Sequence, residues 1–151
     1  MSHSLKLQLH QACTAQIEEK IADLERAIRD AQQAASDDTK SSAGDKYETS
    51  REMMKLEMDK YGSQLSKAAD MLKALGQISP DPRPGPIGQG SLVTTDEGVY
   101  YLSVSLGKVR VGELSFFALS PASPIGQALQ HRRAGEEVVC MGRRIRIVLV
   151  E

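Results

Sequence analysis

Residues 36–48 read SDDTKSSAGDKYE, and the fold depends on how this stretch is taken. It holds no large aliphatic residue, yet a long helical pattern lies on either side of it. Ser, Asp and Gly44 are the residues a helix–helix turn uses. The stretch therefore reads as the tip of an antiparallel helical hairpin, with the first 78 residues serving to hold it out.

Upstream, residues 5–35 contain neither Pro nor Gly and are rich in Gln, Ala, Glu, Lys, Leu and Arg, which favour helix. Ile17, Ile21, Leu24, Ile28, Ala31 and Ala35 recur at alternating spacings of four and three. That is a heptad seam, with Glu18, Glu19, Lys20, Glu25, Arg26 and Arg29 mostly outside it. Downstream the repeat returns: Tyr47, Met54, Tyr61, Ala68 and Leu75 sit seven apart, and Met58, Leu65 and Leu72 fill the alternate positions. It ends near Gly76, and Gly62 inside it predicts a bend or a close approach. Two such helices at about 1.5 Å per residue make a rod roughly 45 Å long. The tip composition favours a hairpin within one chain, and hence a monomer. The alternative is a structural adaptor that dimerises through the same seams.

Residues 79–90 carry four of the six prolines, Pro80, Pro82, Pro84 and Pro86, and read as a stiff extended connector. Beyond it the composition shifts to β-branched and aromatic residues. SLVTTDEGVYYLSVS predicts a β-hairpin around Asp96-Glu97-Gly98. Residues 106–111 and 114–119 give further strands. Ser123 followed by Pro124 predicts a cap and first helical position, and Ile125, Ala128 and Leu129 form one apolar face of a short helix. Residues 138–140 and 145–150 are the last strands, joined by Met141-Gly142. The predicted fold is α+β: a hairpin over 1–78 with its tip at 36–48, a linker over 79–90, and over 91–151 an antiparallel sheet with one short helix across it.

Composition excludes several classes of function. Net charge is −1, so no general attraction to nucleic acid follows. Arg143, Arg144 and Arg146 read as a solvated strand face. Cys13 and Cys140 lie far apart with no metal-ligand spacing, and isolated thiols suit a reducing cytosol. No apolar run serves as a signal peptide or approaches the ~20 residues of a membrane span, so a cytoplasmic protein without membrane contact is expected. His3, His10 and His131 have no sequence neighbour that makes a nucleophile–base pair, and GPIGQG lacks the ending of a phosphate loop.

The run Ser123-Pro124-Ile125-Gly126-Gln127-Ala128-Leu129, followed by Gly135-Glu136-Glu137-Val138, resembles the carboxy-terminal signature of the bacterial Gre transcription factors. Together with the helical hairpin before it, the resemblance covers nearly the whole chain in order. It implies an FKBP-like second domain that docks on RNA polymerase beside the secondary channel, with Ser123, Pro124, Ile125 and Gly126 as candidate docking residues. It implies that the hairpin enters the channel and modulates elongation, with indirect contact to nascent RNA or DNA. The chain itself would then not be an enzyme. In cleavage-competent relatives two tip acids help hold a Mg²⁺ ion while the polymerase hydrolyses its own backtracked RNA. Carboxylates are hard ligands suited to that ion.

Cleavage-competent tips resemble GDLKENAEYxxxREQ. Tyr47, Arg51 and Glu52 reproduce the later part. The acid pair does not recur: counted from Tyr47 it falls on Lys40 and Ala43, and with Asp38 as first acid the second becomes Ser41. A non-cleaving regulator is therefore expected ahead of a cleavage stimulator. Asp38 and Asp45 are the candidate pair for Mg²⁺ shared with the polymerase, with Lys40 and Lys46 beside them. Asp37, Asp38, Ser41, Ser42, Asp45, Lys46, Tyr47 and Glu48 are the candidate channel contacts. The plainer reading of the same acids is capping and turn formation. A prolyl isomerase on an FKBP-like domain is the remaining alternative. It needs an aromatic-lined pocket, for which the domain offers Tyr100, Tyr101, Phe116 and Phe117, the last two on opposite faces of a strand.

Overall fold

The computed structural model describes residues 2–41 and 45–151, with side chains described over 5–37 and 49–151. Helix α1 spans Ser2–Ser41 and α2 spans Asp45–Gly76. Both helices run further into the polar stretch than its composition predicts. Nothing in residues 36–41 stops a helix: no Pro or Gly appears before Gly44, and Ser36 and Asp37 are solvent-facing. By packing, the chain forms two compact units, one of residues 16–72 and the other of residues 1–15 with 73–151.

In the helical unit the heptad seam is the buried stripe. Ile17, Leu24 and Ala31 of α1 and Ala68 of α2 are buried, and Ile21, Ile28, Met54, Met58, Tyr61 and Leu65 are half-buried. Glu18, Glu19, Lys20, Glu25, Arg26 and Arg29 are exposed. The stripe is thus covered in part within the single chain. Gly62 marks no close approach, since a Cβ there would meet nothing within 4 Å.

The second unit contains β1 (Leu92–Thr95), β2 (Gly98–Leu102), β3 (Gly107–Val111), β4 (Leu114–Leu119), α3 (Pro124–Leu129), β5 (Glu137–Cys140) and β6 (Arg143–Val150). The strands form one sheet in the order β3-β4-β2-β1-β6-β5. Every neighbouring pair is antiparallel except β2 and β4, which are parallel. The sheet is therefore mixed rather than wholly antiparallel as the sequence suggests. The reason is local. Residues 103–106 carry the chain past the end of β4, held by Ser103 N–H to Leu119 O at 2.8 Å and Leu106 N–H to Ala118 O at 3.2 Å. The β3–β4 hairpin then turns at Gly112 (φ +60°) and brings β4 back beside β2 in the same direction.

Strand alternation divides this unit into two apolar layers. On one face Val93, Tyr100, Leu102, Val138, Ile145 and Ile147 pack with Leu129 of α3. On the other, Leu92, Tyr101, Phe116 and Ala118 are fully buried. The first turns of α1 lie there, as the contact of His10 with Tyr101 shows. The proline-rich segment is anchored rather than free. Ile87 is a core residue, and its N–H and C=O bond to Arg132 O and His131 N–H, each at 2.8 Å.

Candidate functional site

The residues expected to reach a partner at the hairpin end fall largely outside the described side chains. This holds for Asp38, Ser41, Asp45, Lys46, Tyr47 and Glu48, and Ser42 lies outside the described residues altogether. Their backbone places Asp38 and Ser41 near the end of α1 and makes Asp45 the first residue of α2. Acids at a helix start are favoured by the helix dipole. Asp37 is exposed in α1 and accepts from Gln33 Nε2 at 3.5 Å. Asp37 is thus inside a helix and is not an N-cap. Among the described residues, no group of three or more His, Cys, Asp or Glu could hold a metal ion.

Ser123 to Gly126 form a tightly built corner at the start of α3. Ser123 has extended backbone, and its Oγ accepts from Gly126 N–H at 3.0 Å and donates to Ser120 O at 2.7 Å. This satisfies one of the orphan donors of the first turn. Pro124 takes the first helical position and is exposed. Ile125 packs on the α3-side core. Gly126 is buried, and a Cβ there would lie 2.4 Å from Ser120 O. Three of the four residues thus have internal work, and Pro124 is the one that faces solvent.

A second cluster was not anticipated. Lys6, His10 and Cys13 follow at spacings of four and three along α1, on the side that also buries Leu9. Lys6 is almost wholly buried, and its Nζ donates to Asp81 O at 2.7 Å and to Glu151 O at 3.3 Å. Burial, and next the Arg83 charge, lower its pKa, with Glu151 and Asp81 acting the other way. His10 Nδ1 and the Tyr101 hydroxyl share a 2.7 Å hydrogen bond. Burial lowers the His10 pKa and the Lys6 charge adds to this. Burial also raises Tyr101, with a contribution from Cys13, and pushes the Cys13 thiol up to about 12. A neutral imidazole, a protonated phenol and a protonated thiol make a polar seam between helix and sheet. They do not make a nucleophile. The available signal was the spacing: the α1 seam continues below Ile17, with polar residues at some of its positions.

The aromatic side chains are likewise committed. Tyr101 and Phe116 are fully buried, and Tyr100 stacks on Phe117 with ring centroids 5.9 Å apart. Arg143, Arg144 and Arg146 are all exposed on β6, as a solvated strand face requires. Among the described residues no helix is long and apolar enough to cross a membrane.

No protein-family model and no curated protein matches the chain. Solved structures similar to it include two of Gfh1. One is the GreA factor homolog 1 (Gfh1) of Thermus thermophilus, 18% identical, aligned over 91% of this chain and 94% of that one, with a TM-score of 0.35. The other is a structure of the transcription factor Gfh1, 19% identical, over 92% and 93%, with a TM-score of 0.40. Both alignments span more than nine-tenths of this chain, whose own fold is α+β, two long helices followed by a mixed sheet.

Proposed function

We propose that this chain is a Gre-like transcription factor of the cytoplasm. It binds RNA polymerase, inserts the end of its helical hairpin into the secondary channel and modulates elongation without stimulating transcript cleavage. The observation that carries this reading is the Ser123–Leu129 run. It combines an N-cap, a proline at the first helical position and a glycine whose Cβ would lie 2.4 Å from a backbone carbonyl. That motif follows a two-helix element with a polar end, in the order the resemblance implies. The acids at that end do not reproduce the cleavage pair, which favours a factor that obstructs or reshapes the channel.

The test uses purified core RNA polymerase. The full chain should bind it, and a variant lacking the distal hairpin should not act on it. Absence of binding by the full chain overturns the reading. In stalled elongation complexes, cleavage should stay at its intrinsic rate. A rise that vanishes in Asp38→Ala and Asp45→Ala would instead assign those carboxylates to Mg²⁺ and make the chain a cleavage stimulator.

A further inference from the structure

The outer face of the β5–β6 hairpin carries exposed aliphatic side chains. Over β6, Ile145 and Ile147 point into the α3-side core. Alternation would send Leu149 after them. Instead Thr95 pairs with Ile147 and Thr94 with Leu149, so Val148 is an extra residue opposite the two threonines. This β-bulge re-aims the strand. Val148 and Leu149 both face out, 58% and 46% exposed, and Val150 packs back on the core. On β5, Val139 alternates with buried Val138 and Cys140 and is 68% exposed. Met141, 83% exposed, takes φ +53° in the turn. That position favours Asn, Asp or Gly, so turn chemistry does not account for a large apolar side chain there.

Arginines stand between these two apolar ends. Arg144 is opposite Val139 and Arg146 opposite Glu137. Val148 lies four residues beyond Arg144, about 13 Å along the strand. Arg143 reaches Glu97 at 4.0 Å, whereas neither Arg144 nor Arg146 forms an ion pair among the described residues. Nearer the sheet centre the same face is closed, with Leu92 and Tyr101 fully buried. The uncovered part therefore consists of aliphatic groups at both ends and guanidinium groups, with a single acid, between them. Apolar anchors with arginine are the composition of protein interface centres. Nucleic acid would be met by aromatic stacking, and the uncovered part of this face carries no aromatic residue.

We propose that this face docks a protein ridge in which carboxylates lie between apolar side chains. On the reading given above, that ridge belongs to RNA polymerase. The docking contact then sits on the β5–β6 outer face, apart from the α3 corner. The proposal rests on that reading for the identity of the partner and on the bulge, the exposed aliphatics and the exposed Arg144 and Arg146 for the surface.

The test measures binding of the fluorescently labelled full chain to purified core polymerase. Two double variants are used, Val139→Ser with Val148→Ser and Arg144→Glu with Arg146→Glu, and Arg110→Glu on β3 is the control. Each double variant should bind roughly tenfold or more weakly. The control should stay near wild type, and all should keep the wild-type urea midpoint. Wild-type binding that neither double variant weakens overturns the surface and leaves the polymerase reading standing. A wild-type chain that does not bind polymerase overturns both. Equal loss by the arginine variant on a single-stranded RNA probe, with the valine variant unaffected on polymerase, makes the face a nucleic-acid site and overturns the proposal.

Discussion

Replacing Tyr101 with phenylalanine deletes one oxygen from a fully buried ring and leaves His10 Nδ1 without its 2.7 Å partner. A neutral hydrogen bond contributes about 1 kcal/mol net, and a stranded buried polar group costs about 1–3 kcal/mol. His10 is only half-buried, so water can replace part of the lost contact, and the expected loss is about 1–2 kcal/mol. Urea unfolding of Tyr101→Phe near neutral pH measures it. A double-mutant cycle with His10→Ala should return a coupling of about 1 kcal/mol. The pH dependence supplies a second reading. The His10 pKa is lowered below 6.5 in the folded chain. The stability contributed by the neutral ring is therefore fully present above 6.5 and is lost as pH falls through the folded value. Wild type should lose more stability than His10→Gln on acidification through that window. A Tyr101→Phe chain with the wild-type midpoint, or identical acid profiles for wild type and His10→Gln, would refute the linkage between this helix and the sheet.

Two further outcomes follow from burial. Cys13 is buried with its thiol pushed up to about 12, so iodoacetamide at mildly alkaline pH should leave it unlabelled in the native chain and label it in urea, as read by mass spectrometry. Leu24→Ala in the buried seam should cost about 2–4 kcal/mol. Leu56→Ala, at an exposed position of α2 outside the seam, should stay within about 0.5 kcal/mol. Equal effects on the urea midpoint would mean that the heptad register has been assigned to the wrong stripe.

Much of the fold was legible because its signals are local. The heptad spacing from Ile17 to Ala31 selects the stripe that is buried. Ser123-Pro124 announces the α3 cap. Met141-Gly142 sits where two φ-positive residues close the β5–β6 hairpin. What escaped depends on residues distant in the chain. The parallel pairing of β2 with β4 is set by residues 103–106 crossing the end of β4, and no alternation pattern encodes strand order. Ile87 looks like one apolar residue in a proline-rich connector until His131 and Arg132 supply its backbone partners. Lys6 looks like an ordinary surface lysine until the carbonyls of Asp81 and Glu151 converge on it. At the site, the motif around Ser123 could be read, but its internal hydrogen bonds could not. The two outward residues at Val148 and Leu149 were hidden because a bulge leaves no mark in composition.

The bulge also bears on how this strand tolerates changes in chain length. In a regular sheet, losing one residue inverts every side chain beyond it. Here Val148 has no counterpart on β1. Excising it leaves Ile147 inward, Leu149 outward and Val150 inward, an uninterrupted alternation with the core complement unchanged. β6 thus carries one spare letter, at a point where an insertion or deletion can pass without scrambling the register of the sheet.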